Sequence, residues 1–116
     1  MNLRVVVVQP RETLARATAR HLGAAGFEPV LLDSDAAVQA AVADPPAAVV
    51  ADLTLPVLDG WCVLAALGHR TEQTVVAYGR PDDARRAASL GAATTVHDCG
   101  DVVRALGQLL REPERV

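Results

Sequence analysis

The chain has 116 residues, 51% of them hydrophobic, which is enough for one globular domain with a single core and too short for two. Its formal net charge of −3 includes eleven basic residues scattered along the chain, so no basic stripe points to direct binding of nucleic acid. All eleven are arginine, which excludes mechanisms that need a lysine ammonium group.

The apolar runs and the cysteines indicate the cellular compartment of the protein. Each apolar run is far shorter than the roughly 18 residues that span a bilayer, and no apolar region follows a basic N-terminus as in a signal peptide. Cys62 and Cys99 stand alone, without the spacing of a metal site or a disulfide framework, which fits a reducing compartment. We therefore expect a cytoplasmic protein that makes no membrane contact.

The first half of the chain alternates between extended and helical patterns. Runs of β-branched or small apolar residues predict buried strands, and apolar residues at helical spacing predict the helices between them. Ser34 or Asp35 is expected to cap the second helix, because short polar side chains accept from exposed N–H groups there. The predicted elements are a strand over 3–8, a helix over 12–22, a strand over 27–32, a helix over 35–42 and a strand over 47–52.

The second half continues the same alternation. Glycine and proline mark most of the ends, since proline cannot donate to a sheet and glycine commonly ends a helix. The predicted elements are a helix over 61–67, a strand over 74–78, a helix with Asp82 and Asp83 in its first turn that closes at Leu90-Gly91, a strand over 93–97, a loop over 98–100 and a last helix with an apolar stripe over 102–110.

This order of elements predicts the fold class. Five strands alternate with five helices, and each connection is short enough to cross only to a neighbouring parallel strand. We expect one α/β domain, a doubly wound parallel sheet with helices on both faces, over residues 1–112, followed by a polar tail over 113–116. In this arrangement Cys62 and His21 are expected to pack on the inner faces of their helices.

Asp52 is the residue that suggests a site. It ends the buried third strand, so its carboxylate is delivered to the C-terminal edge of the sheet. Pro56 cannot continue the strand, and Asp59-Gly60 has the composition of a turn or helix cap. We interpret Asp59 as a cap at the start of the third helix and assign it no chemistry.

The pattern Asp52-x-x-x-Pro56-x-x-Asp59-Gly60, with Leu90-Gly91-Ala92 before the fifth strand and Gly26-Phe27 before the second, resembles the receiver domain of bacterial response regulators in two-component systems. The likeness covers the whole chain. It implies a flavodoxin-like strand order of 2-1-3-4-5. It also implies that Asp52 would accept a phosphoryl group from a histidine kinase.

Other positions of that family's pattern differ here. Receivers place two acids after the first strand to hold Mg²⁺, where this chain has Gln9 and Pro10, followed by the cation Arg11. The Ser or Thr that ends the fourth strand is absent beside Tyr78, and Asp98 replaces the lysine that follows the fifth strand. We therefore expect Mg²⁺ to bind weakly if at all, with no other cofactor. The predicted pocket consists of Asp52 lined by Gln9, Pro10, Arg11, Thr54, Tyr78 and Asp98.

These departures predict a degenerate receiver, not an enzyme, that acts through phosphorylation-independent contact with a sensor kinase or an output protein. Its partner surface, or a homodimer interface, would be built from helix four, strand five and helix five, with Arg85, Arg86 and Arg104 as candidates. The alternative is a working phosphoacceptor in a phosphorelay, with Arg11 or Arg80 replacing metal and lysine.

The sequence supports two other functional interpretations less well. A small flavodoxin-like enzyme or ligand binder lacks a glycine-rich phosphate loop after the first strand and a nucleophile–base pair. A zinc site at His97-Asp98-Cys99 is disfavoured, because consecutive residues of an extended segment point to alternate sides.

Overall fold

The computed structural model describes residues 3–54 and 59–110, in which five strands and five α-helices alternate. In chain order these are β1 (Arg4–Val8), α1 (Glu12–Ala24), β2 (Glu28–Leu31), α2 (Ser34–Ala43), β3 (Ala48–Asp52), α3 (Asp59–Leu67), β4 (Val75–Tyr78), a 3₁₀ turn (Pro81–Asp83), α4 (Ala84–Ser89), β5 (Thr94–Val96) and α5 (Cys99–Leu109). Pro56 and the predicted tail at 113–116 lie outside the described residues. None of the described helices has the length and apolarity needed to cross a membrane.

The strands form one parallel sheet in the order β2-β1-β3-β4-β5, which confirms the predicted fold class and strand order. In the register between β3 and β4, Asp52 lies opposite Tyr78. The order of the strands reverses between β1 and β3, and ligands of open α/β sheets bind at the carboxyl ends of the strands at such a point. Gln9 follows β1 and Asp52 ends β3, so both residues belong to this edge.

Each face of the sheet has its own core, because successive residues of a strand point to opposite faces. Val5 and Val7 of β1 pack with the inner side of α1 and α5, around Leu22 and Leu106. Val6 and Val8 pack on the other face with α2, α3 and α4. Every residue of β3 and β4 is buried, which explains why these strands read as continuous apolar runs.

The ends of several elements differ from the sequence predictions. Each strand is one or two residues shorter than predicted. The N-cap of α2 is Asp33, whose carboxylate accepts from Ala36 N at 2.8 Å; the prediction of Ser34 or Asp35 was wrong because Asp33 keeps an extended backbone while Ser34 is already helical. Asp59 was expected to cap α3, but it lies within the first helical turn.

Two side chains that were predicted to be buried are exposed. Helix α3 buries Gly60, Val63, Leu64 and Leu67, and this spacing leaves Cys62 on the solvent side. Helix α1 buries Ala15, Thr18 and Leu22, so His21 lies outside the narrow stripe that faces the sheet. Both predictions were wrong because each helix buries residues three or four apart, and the predicted apolar face included the neighbour of a buried residue.

Candidate functional site

Asp52 is the buried acid at the switch point of the sheet, with 1% of its surface exposed. Its Oδ1 accepts hydrogen bonds from the backbone N–H of Thr54, at 2.8 Å, and from the Thr54 hydroxyl. Its Oδ2 accepts from Nε2 of Gln9 at 3.4 Å. A carboxylate followed two residues later by a hydroxyl residue forms this turn locally, as the chain leaves the strand. Both oxygens of Asp52 are thus engaged by the chain's own donors.

Arg11 reaches the same site through Thr54. Its Nη2 donates to Thr54 Oγ1 at 2.9 Å, while the Thr54 hydroxyl uses its single proton on Asp52. A guanidinium, a hydroxyl and a buried carboxylate therefore form one chain of hydrogen bonds. The guanidinium of Arg11 is thus linked to the Asp52 carboxylate through Thr54, without direct contact between the two charged groups.

Gln9 occupies the place beside Asp52 where the resemblance expects a metal-binding acid. Its side chain is 6% exposed, and its Oε1 has no hydrogen-bond partner among the described residues. Pro10 next to it is exposed and has no side-chain oxygen to offer a cation. Within residues 3–54 and 59–110, no three His, Cys, Asp or Glu side chains are grouped so that they could hold a metal ion.

Tyr78 lies across from Asp52 but directs its side chain into the core under α1 and α5, where it is 8% exposed. Burial raises the pKa of its hydroxyl above the ordinary value of 10.0, and the charge and hydrogen bond of Cys99 raise it further. The carboxylates of Asp52 and Asp98 contribute in the same direction. All these causes disfavour the negatively charged phenolate.

We expect the single tyrosine of the chain to ionise above pH 10 in the folded protein and near pH 10 after unfolding. Because the folded-state pKa is raised, the stabilising contribution is complete below pH 10 and is lost as the pH rises through the folded value. Absorbance at 295 nm followed against pH, with and without urea, measures both values. Coincident titrations in the two states would contradict the buried position of Tyr78.

Asp98 and His97 share the segment after β5, and the structure assigns them different surroundings. The Asp98 carboxylate accepts from Asp101 N at 3.0 Å as the N-cap of α5, so the loop predicted over 98–100 is the start of that helix. His97 Nδ1 lies 2.7 Å from the carbonyl oxygen of Gly79, to which it donates. The pattern Asp98-x-x-Asp101 ahead of an apolar stripe was the sequence signal for this cap.

A cleft of about 800 Å³ opens beside the Asp52 site, between the start of α1, the end of β4 and His97. Its lining includes Arg11, Leu14, Thr54, Tyr78, Arg80 and His97. Three predicted pocket residues, Arg11, Thr54 and Tyr78, thus meet at one surface. Gln9 and Pro10 instead line a separate cavity of about 300 Å³ between β1, Asp33 and Asp59. Sequence reasoning did not place His97 in this pocket.

The candidate partner arginines are spread over two helices. Arg85 and Arg86 lie exposed on the short helix α4, and Arg86 stacks over the Trp61 ring of α3 with its guanidinium carbon 5.5 Å from the ring centroid. Arg104 on α5 is exposed and pairs with Asp101 at 2.8 Å. Of these three arginines, only Arg85 has neither an ion pair nor an aromatic contact among the described residues.

Response regulators are among the solved structures with the same fold. A candidate response regulator from Chloroflexus aurantiacus J-10-fl matches at a TM-score of 0.82 and 18% identity, over 95% of this chain and 98% of that one. The Francisella response regulator 1452 receiver domain matches at 0.80 and 16%, over 93% and 96%. NtrX from Brucella abortus matches at 0.80 and 23%, over 95% of this chain but 28% of NtrX.

No family model and no curated protein matches the chain in sequence. The structural matches nevertheless cover 93% and 95% of the chain, so the chain has the fold of response-regulator receiver domains.

Proposed function

We propose that this chain is a receiver-like signalling module that acts by contact with a protein partner and is not switched by phosphorylation of Asp52. The fold supports the class of signalling module, because its structural neighbours are receiver domains. The observation that supports independence from phosphorylation is the set of hydrogen bonds that Asp52 accepts. Both oxygens of this buried carboxylate already accept hydrogen bonds, from Thr54 and Gln9, and these bonds lower their nucleophilicity toward phosphorus.

The electrostatics of the site support the same proposal. Phosphoryl transfer depends on positioning and on neutralising charge with a metal and a cation. Mg²⁺ prefers one or two carboxylates with water and phosphate oxygens, whereas the donors here are Asp52, already engaged, and the neutral Oε1 of Gln9. The guanidinium of Arg11 sits where it would repel a second cation. This set of residues does not fit Mg²⁺.

Arg11 also supports a second candidate function, a working phosphoacceptor. A guanidinium pairs well with phosphate oxygens, and Arg11 lies one hydroxyl away from Asp52. In that case Arg11 would leave Thr54 and bind a phosphoryl group on Asp52, replacing the charge that a metal supplies in other receivers.

Incubation with acetyl phosphate and Mg²⁺, followed by intact-mass measurement, separates the two candidates. We expect no adduct of about 80 daltons on the wild-type chain, because the oxygens of Asp52 already accept hydrogen bonds and the surrounding residues do not fit Mg²⁺. An adduct that disappears in Asp52→Asn would overturn the proposal. The double variant Gln9→Asp with Pro10→Asp serves as the matched control, since it supplies two carboxylates and should raise Mg²⁺ affinity in a calorimetric titration.

The partner, by this proposal, is a sensor kinase or an output protein that docks on α4, β5 and α5, and we place the module in the cytoplasm with no catalytic activity of its own. Arg85 supports this surface because it is exposed and without an ion pair among the described residues. The same surface could join two copies of the chain. Affinity capture from the native cell with wild-type and Asp52→Asn proteins should recover the same partner in equal amounts. Capture that depends on Asp52 would contradict phosphorylation-independent contact.

A further inference from the structure

We propose that the cleft between the start of α1, the end of β4 and His97 binds a small organic anion, with a carboxylate or phosphate head and an apolar body. The proposal goes beyond the protein-contact function and does not depend on whether Asp52 is phosphorylated. It rests on three features of the cleft, which are its uncommitted cations, its apolar wall and its size.

Neither guanidinium of the cleft forms an ion pair with a described carboxylate, although Asp83 accepts from the backbone N–H of Arg80 at 3.3 Å. Four other arginines of the described chain form ion pairs with carboxylates at 2.7 to 3.2 Å, whereas Arg11 and Arg80 form none within residues 3–54 and 59–110. Glu12 also lines the cleft, but its carboxylate is held by Arg16 at 2.7 Å on the exposed side of α1. Two guanidinium groups at one cleft, each with its donors largely uncommitted, present a site for an anion.

The start of α1 adds a smaller positive potential to the cleft. Its N-cap is Arg11, which has no side-chain oxygen to accept from the first-turn N–H groups. Glu12, Thr13 and Leu14 of that turn lie along the cleft. The positive end of the helix dipole therefore faces the same space as Arg11.

The rest of the wall suits an apolar body. Leu14 and Ala17 of α1, Tyr78 and Pro81 are among the residues that line the cleft. Its volume of about 800 Å³ falls in the range of small-molecule sites, which runs from roughly 300 to 1,000 Å³. The ring of His97, held by the hydrogen bond from its Nδ1–H to Gly79 O, also borders the cleft. Inorganic phosphate alone would leave most of this wall uncovered.

Titration of the ¹⁵N-labelled full chain with four probes, followed by NMR, tests the proposal. The probes are 2-naphthoate, 1-naphthyl phosphate, the uncharged 2-naphthamide and inorganic phosphate. We expect the two naphthyl anions to shift the amides of Thr13, Leu14, Gly79 and His97, and the amide and inorganic phosphate to bind at least about tenfold more weakly. The ratio between the two anions tells a carboxylate ligand from a phosphate ester.

Matched variants locate the binding. Arg11→Gln and Arg80→Gln should each weaken the better naphthyl anion about tenfold, since each removes one charged hydrogen bond. Arg20→Gln, an exposed position on α1 outside the cleft lining, is the control and should leave the affinity unchanged. Ala17→Phe should block binding by filling the cleft. The titration needs neither a partner nor a phosphoryl donor, so its outcome is independent of the test of the proposed function.

Equal binding of 2-naphthamide and 2-naphthoate, or equal affinity in Arg11→Gln, Arg80→Gln and Arg20→Gln, would overturn the proposal, because the cleft cations would then contribute nothing. Inorganic phosphate bound as tightly as 1-naphthyl phosphate would overturn the apolar part of it.

Discussion

Replacing Gly60 by alanine is expected to destabilise the domain by about 3 kcal/mol or more. A Cβ at this position would stand 1.9 Å from the carbonyl oxygen and 2.5 Å from the carbonyl carbon of Asp52. Both atoms belong to the backbone of the buried strand β3, so neither can rotate away as a flexible side chain would. Relief requires that α3 move off the sheet, which also opens the core around Leu64.

Urea unfolding followed by circular dichroism measures this loss, and Gly107→Ala provides the control. Gly107 lies inside α5, where an added Cβ would meet no atom within 4 Å. That variant should gain about 0.5–1 kcal/mol, because alanine is the better helix former. Gly60→Ala and Gly107→Ala of similar stability would mean that α3 does not approach Asp52 as closely as described.

Gly91→Ala is expected to cost about 3–4 kcal/mol, for two physical reasons that act together. Gly91 has φ of +101°, a backbone conformation that residues other than glycine rarely adopt. An added Cβ would also stand 2.2 Å from the carbonyl oxygen of Gly68 at the end of α3. The turn from α4 to β5 therefore crosses the end of α3 backbone against backbone.

Gly26→Ala separates the two causes. Gly26 has a similar φ of +93°, but no atom lies within 4 Å of the position of its Cβ. Its cost is therefore conformational only, about 1–2 kcal/mol. Thermal unfolding of both variants gives the difference that belongs to the contact with Gly68. If the two losses are equal, the α3–turn contact carries no energy and this part of the packing is wrong.

The sheet was predictable because its central strands leave little choice. Continuous apolar runs such as Val5–Val8 suit only a strand buried on both faces, and short connections permit only neighbouring parallel strands. Helix faces were less certain. Both errors, Cys62 and His21, concern residues beside a buried position, where a shift of one residue turns a side chain by about 100° around the helix axis.

The site was predictable in its residues but not in its contacts. The identity of Asp52, Thr54 and Arg11 follows from the end of β3 and the loop after β1, yet a sequence cannot show that their side chains form one hydrogen-bonded chain. That connection depends on rotamers fixed by the surrounding packing. The cap formed by Asp98 at the start of α5 was missed for a related reason, since a sequence does not show which donor a carboxylate accepts from.

Under the proposed function, the hydrogen bonds from Arg11 through Thr54 to Asp52 have a consequence for the tempo of signalling. If phosphorylation of Asp52 does not switch the module, the strength of its message follows the number of copies present. Its response would then rise with synthesis and fall with degradation or dilution, over the time that cells take to change protein levels.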